Sequence, residues 1–150
     1  MKVLIATQKP FSEAAVHDIH ELLEASGHEV VLLEKYPGEA ELCEAVKDAE
    51  ALIIRSDKVT PAVLDAAKKL KIVVRAGAGF DNVDLAAATA HGVVVENTPG
   101  QNSNAVAELA IALMIFMARG QFDGKTGSEL QGKKLGVQAY GNVGRLVGQK

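Results

Sequence analysis

The sequence has no tryptophan, two tyrosines, four phenylalanines and a single cysteine. With aromatics at 4% and apolar residues at 48%, any core has to be built from Val, Leu, Ile and Ala. One cysteine cannot close an intramolecular disulfide, so a reducing, cytoplasmic compartment is the expected address. Positive charge is not in excess either: 16 Lys and Arg stand against 19 Asp and Glu, a net charge of −3. Phosphate backbones are held by concentrated positive fields, so a nucleic-acid partner is excluded, whereas a small anion needs only one or two well-placed cations. Long hydrophobic runs are missing as well. Residues 105–118, AVAELAIALMIFMA, are apolar on nearly every face with Glu108 as their one charge, yet fall short of the ~20 residues that cross a bilayer. The opening Met1-Lys2-Val3-Leu4-Ile5-Ala6 meets Gln8-Lys9-Pro10 too soon for a signal peptide, so no membrane partner is expected.

What is present is a regular alternation. Short runs rich in Val, Ile and Leu occur at residues 2–6, 29–33, 51–54, 72–75, 93–96 and 134–138. Each is almost unbroken rather than alternating, which predicts parallel strands covered on both faces. Helix signals lie between them. Ser12 can cap a helix with an apolar face of Val16, Ile19 and Leu23, stopped by Gly27. Thr60-Pro61 is an N-cap followed by proline at the first helical position. Asp84 can cap residues 85–90, with Gly92 as terminator. This order predicts an α/β, flavodoxin-like doubly wound parallel sheet through residue 98. The polar cluster Asn97-Thr98-Pro99-Gly100-Gln101-Asn102 marks a boundary, so residues 99–150 form a second region: a hinge, the helix over 105–118 and one βα unit. A helix so uniformly apolar is expected to be buried between domains or subunits.

That last unit carries Ala139-Tyr140-Gly141-Asn142-Val143-Gly144 between a predicted strand and a predicted helix. In dinucleotide folds the middle glycine admits the pyrophosphate, the third lets helix pack on strand, and the helix N-terminus holds the anion. Ala139 replaces the usual first glycine, which is harmless if its φ is negative.

Other polar groups have plainer readings. His17, His20, Glu21 and Glu24 read as a solvated helix face rather than a metal site, and no metal is expected. Cys43, beside Glu41 and Glu44, is expected to have a raised pKa and to be inert. Asp57 follows the third strand, where a phospho-accepting receiver places its aspartate, but Thr7-Gln8-Lys9 offers no second acid for Mg²⁺.

Several stretches together resemble one family. They are Ile54-Arg55-Ser56; Val74-Arg75-Ala76-Gly77-Ala78-Gly79-Phe80-Asp81-Asn82-Val83-Asp84; Asn97-Thr98-Pro99 with Asn102-Ser103 and Ala107-Glu108; Glu129-Leu130-Gln131-Gly132-Lys133-Lys134-Leu135-Gly136; and the glycine turn. In order and spacing the chain resembles the D-isomer-specific 2-hydroxyacid dehydrogenases. The resemblance implies a substrate-binding domain over 1–98 and the start of a Rossmann NAD-binding domain over 99–150. It implies that Arg55, Ser56, Arg75, Ala76, Gly77 and Asn102 bind an anionic substrate, the loop amides at 76–78 receiving its carboxylate. Ala78, Tyr140, Gly141, Asn142, Val143 and Gly144 would bind NAD. A homo-oligomer, dimer or tetramer, is also implied. The connector over 120–132 lacks the tryptophan of many relatives. The family's catalytic Arg, Glu and acid–base His lie beyond the glycine turn, and His17, His20, His28 and His91 do not occupy the matching position. No catalytic residue is therefore assigned, and these residues alone are expected neither to turn over substrate nor to bind NAD tightly. Two other readings stay open: an NAD-sensing binding protein of the same fold, such as a transcriptional corepressor, and an inactive truncated chain whose apolar helix is exposed.

Overall fold

The computed structural model describes residues 1–150, which divide into two compact units, Met1–Thr98 and Pro99–Lys150. The first unit is a five-stranded, wholly parallel sheet in the order β2-β1-β3-β4-β5. The strands are β1 (Lys2–Thr7), β2 (Glu29–Glu34), β3 (Ala51–Ile54), β4 (Ile72–Arg75) and β5 (Val94–Asn97). This is the flavodoxin-like order. The five runs of the first unit are strands within a residue or so of the expected bounds.

Helices α1 (Glu13–Ala25), α2 (Glu39–Ala45), α3 (Pro61–Ala66) and α4 (Leu85–Ala90) alternate with them. Their ends form as the sequence signals. The side chains of Ser12, Thr60 and Asp84 accept the N–H groups of Ala15, Val63 and Ala87, filling donors that a helix start leaves unpaired. Gly27 and Gly92, at φ of +77° and +68°, close α1 and α4. At each, the glycine N–H and the following N–H turn back onto the last-turn carbonyls: Gly27 to Glu24 and His28 to Leu23, Gly92 to Thr89 and Val93 to Ala88.

The core lies on one face of this sheet. Leu4, Ala6, Leu52, Ile54 and Val73 pack with Leu42, Val46, Val63, Leu64 and Ala88. On the alternate positions Val3 and Ile5 are also buried, but towards β5 that face opens: Ile53, Ile72 and Val74 are half-buried and Val94 is exposed.

The second unit consists of α5 (Ser103–Ala118) and α6 (Asn142–Gln149), packed on each other, with a connector between them. One expectation fails here. Residues 134–138 do not form a strand, and Leu135 and Val137 are exposed. A strand needs a neighbour to take its N–H and C=O groups, and residues 99–150 contain no second strand to supply them. Within this chain the apolar helix is covered only in part: Ser103 and Ala107 are buried, while Leu109, Leu113, Ile115 and Met117 face outward. Its apolar residues surround the axis, and α6 covers only part of that circumference. No helix is long and apolar enough to cross a membrane.

Candidate functional site

In a doubly wound sheet the ligand crevice lies outside the carboxyl ends of the strands, where the strand order reverses. Here that point is between β1 and β3. Arg55 and Ser56 follow β3 directly, both exposed, and Arg75 is the last residue of β4. Arg75 Nε donates to the carbonyl of Arg55 at 2.8 Å, and its guanidinium folds back over Gly77. A Cβ at Gly77 would stand 1.6 Å from Arg75 Nη1, so glycine at this position lets the guanidinium lie against the turn. Arg55 Nη1 reaches the carbonyl of Pro10 at 3.5 Å. Two guanidinium groups thus share one sheet edge.

The amides of the turn are not all free, which corrects the expectation for residues 76–78. Ala76 N–H continues the ladder onto Ile54 O at 2.8 Å, and Gly77 N–H closes a tight turn onto Arg75 O at 2.8 Å. The cause is register: β4 pairs with β3 up to Arg75, so the next N–H still points at the neighbouring strand. Ala78 and Gly79 N–H have no acceptor within the chain. The carbonyls on the other side of the turn are fixed, Gly77 O by Thr98 N–H at 2.9 Å and Ala78 O by Asn97 Nδ2 at 2.8 Å. The donors available to an anion are therefore two successive amides beside a guanidinium, a nest displaced two residues from its expected start.

Behind this edge lies a buried polar cluster that residue patterns did not reveal as a unit. Asp57 Oδ1 accepts from Gln8 N–H at 2.7 Å and from the Tyr36 hydroxyl at 2.6 Å. Burial first, then the bond to Asp57 and its negative charge, hold the Tyr36 phenol well above the usual tyrosine range. Asn82 Nδ2 donates to Asp57 O at 2.7 Å. Asn97 and Asn82 both sit in stretches that carry the family resemblance, and an amide side chain closing a strand or turn was the available signal.

Other sequence candidates lie elsewhere. His17 and His20 pair along α1 with Glu21 and Glu24, at 3.5 and 3.3 Å. His28 reaches the amino terminus, and His91 closes α4 against Asp65. No group of His, Cys, Asp and Glu has metal-ligand geometry. Cys43 is half-buried, and its thiol is pushed up by burial first and by Glu39 second, rather than by the glutamates flanking it in sequence.

In the second unit, Gly141 precedes α6 in extended backbone and no side chain caps the helix, so the first-turn amides of Asn142 and Val143 remain open. Nothing lies within 4 Å of a Cβ built at Gly141, which leaves room for a pyrophosphate. At Gly144 a Cβ would fall 2.2 Å from Ala139 O, so only glycine allows the helix to approach the preceding segment this closely. These features fit a dinucleotide turn. Ala139, however, has φ +70°, against the negative value its side chain prefers; closing this turn demands the left-handed conformation that the usual glycine supplies. Tyr140 is exposed, with its ring against Gly148. Asn102 flanks the start of α5, exposed and without a side-chain capping bond. Arg55, Ser56 and residues 75–78 are thus brought together in the first unit, and Asn102 and residues 140–144 belong to the second.

Comparison with known proteins gives this geometry a context. The family model described as "D-isomer specific 2-hydroxyacid dehydrogenase, catalytic domain" matches residues 5–148. D-3-phosphoglycerate dehydrogenase of Sus scrofa is 44% identical over 141 residues, covering 85% of this chain and 26% of that protein. Its counterpart in Archaeoglobus fulgidus is 42% identical over 164 residues, covering 100% of this chain and 30% of the relative. The crystal structure of NAD+-bound 3-phosphoglycerate dehydrogenase from Entamoeba histolytica superposes with a TM-score of 0.95 at 49% identity, over 99% of this chain and 49% of that one. The chain spans about a quarter to a third of the curated relatives it matches.

Proposed function

Because the chain belongs to the D-isomer specific 2-hydroxyacid dehydrogenase family, we propose that it supplies the substrate edge and the opening dinucleotide turn of an NAD-dependent enzyme oxidising D-3-phosphoglycerate to 3-phosphohydroxypyruvate, a step towards serine. The observation that carries this reading is the pair of free amides at Ala78 and Gly79 beside the Arg75 guanidinium, at the carboxyl edge of the sheet. A carboxylate held by two N–H groups and a guanidinium is fixed in position and orientation, which is what a hydride transfer from the adjacent carbon requires. Gly77 N–H joins these donors if its bent contact to Arg75 O opens, and Ala76 contributes shape rather than an amide.

Arg55 and Ser56, exposed one strand away, meet the phosphorylated end of the substrate, and Asn102 contributes an amide side chain from the hinge. Ala78 serves both ligands. Tyr140, Gly141, Asn142, Val143 and Gly144 form the NAD turn, where the amides of Asn142 and Val143 bind the pyrophosphate. NAD held there would supply the hydride acceptor. The acid–base chemistry at the hydroxyl is not carried by His17, His20, His28 or His91, which lie on α1, the α1–β2 turn and the end of α4. The compartment is the cytoplasm, in keeping with a lone unpaired thiol. The outward apolar side of α5 is the surface through which copies assemble into a homo-oligomer.

A chimera tests the reading: residues 1–150 replace the matching half of the Entamoeba histolytica enzyme. It is expected to reduce NAD with D-3-phosphoglycerate. Arg75→Ala in the chimera lowers kcat/KM roughly 10- to 100-fold, the value of a charged hydrogen bond. A folded chimera inactive on D-3-phosphoglycerate but active on another 2-hydroxy acid overturns the substrate assignment; one indifferent to Arg75→Ala overturns the site.

A further inference from the structure

Asp57 is only 5% exposed, although Arg55, Ser56 and Lys58 around it all face solvent. A buried carboxylate is strongly unfavourable unless donors fill its lone pairs, so its bonds indicate what it does. Two donors reach the Asp57 carboxylate, both at Oδ1: Gln8 N–H from the loop after β1 and the Tyr36 hydroxyl from the loop after β2, while Oδ2 is buried without a partner. Asn82 Nδ2, from the loop after β4, donates to the backbone carbonyl of Asp57 instead. The stitching continues along the chain: Asn82 O accepts Val59 N–H at 2.9 Å and Val59 O accepts Asp84 N–H at 3.0 Å, forming a short parallel bridge between Val59 and Val83. The segment after β3 is thereby fastened to residues 82–84, a few residues beyond the free amides of Ala78 and Gly79.

We propose that Asp57 is a positioning residue: its carboxylate ties the loops following β1 and β2 onto the segment following β3, whose backbone holds the loop following β4, so that Arg75 and the amides of Ala78 and Gly79 are set for the substrate carboxylate and Arg55 and Ser56 for its phosphorylated end. The purpose of this clamp rests on the substrate reading above; the clamp itself does not. Asp57 touches no substrate. A carboxylate suits the task because one oxygen can accept two strong, short bonds from separate segments.

Amide exchange of the 150-residue chain, followed by NMR, tests the clamp in Asp57→Ala and Asp57→Asn. Asp57→Ala is expected to speed exchange at Gln8 roughly 10- to 100-fold, the loss of a buried charge-assisted bond, while Val59 and Asp84, whose amides donate to backbone carbonyls, and Leu4, Leu52 and Val73 keep wild-type protection. Titration with D-3-phosphoglycerate should then need about tenfold more ligand to shift Ala78 and Gly79. Asp57→Asn keeps an oxygen for both donors and should restore most of the protection at Gln8. Where Asp57→Ala does not fold, the Gln8 amide shift in Asp57→Asn decides. Wild-type protection at Gln8 in Asp57→Ala, or a Gln8 amide shift in Asp57→Asn indistinguishable from wild type, overturns the clamp. Wild-type amides at Ala78 and Gly79 that ignore D-3-phosphoglycerate overturn the substrate reading instead, leaving the exchange comparison to judge Asp57.

Discussion

Residues 1–98 and residues 99–150 are written in the same alphabet of aliphatic runs and glycine turns, yet they turn out differently. In the first unit every strand has at least one partner, and Leu4, Leu52, Ile54 and Val73 are buried. In the second, the run over 134–138 stays unpaired, and Leu109, Leu113 and Met117 of a more apolar helix face outward. An apolar run specifies a strand only where neighbours complete its ladder, and an apolar helix is buried only where something covers its whole circumference. The pattern states a requirement that its surroundings have to meet.

Substitutions can break this contrast, beginning with the core. Leu52→Ala, in the centre of β3, should lower unfolding stability by about 2–5 kcal/mol in urea titrations, whereas Leu113→Ala should change it by about 0.5 kcal/mol or less. Comparable losses at both sites would mean that α5 is as well covered as β3. The caps come next. Asp84→Ala should cost about 1 kcal/mol, because the N–H of Ala87 loses its acceptor, and Asp84→Asn should recover most of it.

At the glycine turn the sign reverses. Ala139 sits at φ +70°, so Ala139→Gly removes a left-handed penalty of about 1–2 kcal/mol and adds about 0.5–1 kcal/mol of unfolded-state freedom. The net expectation is a gain of roughly 0.5–1 kcal/mol, measurable as a higher urea midpoint. A loss would show that the turn does not require this conformation.

The smallest effect is at His91. Its Nδ1 bonds Ala87 O at 2.8 Å and its Nε2 bonds Asp65 Oδ1 at 3.0 Å, so first the backbone bond and then Asp65 favour the charged ring and raise its pKa above 6.5. A raised folded-state pKa gives stability that is fully present below 6.5 and is lost as pH climbs through the higher folded value. Melting curves of wild type and His91→Gln should therefore differ at about pH 5.5 and converge by about pH 8.5. A gap that widens with pH would contradict the pairing.

Much of the first unit was legible because its signals are local. Ser12, Thr60 and Asp84 cap the helices they precede, and Gly27 and Gly92 end them, all within a few residues of chain. What was not legible depends on distant partners. The amide of Ala76 is spent on Ile54 because β3 happens to lie beside it, which moves the anion nest to Ala78 and Gly79. The gathering of Gln8, Tyr36 and Asn82 around Asp57 joins positions up to 49 residues apart. No motif spans those gaps, and the lone carboxylate suggested only the receiver-like reading that its surroundings reject. The φ of Ala139 likewise follows from how the turn closes rather than from the residue that occupies it.

The most direct test of the anion nest is a titration of residues 1–150 with D-3-phosphoglycerate, followed at every backbone amide. Saturable shifts at Ala78 and Gly79, erased by Arg75→Ala and absent at Asn142 and Val143, are the predicted result. Saturable shifts at some other set of amides, or shifts at Ala78 and Gly79 that survive Arg75→Ala, would contradict it.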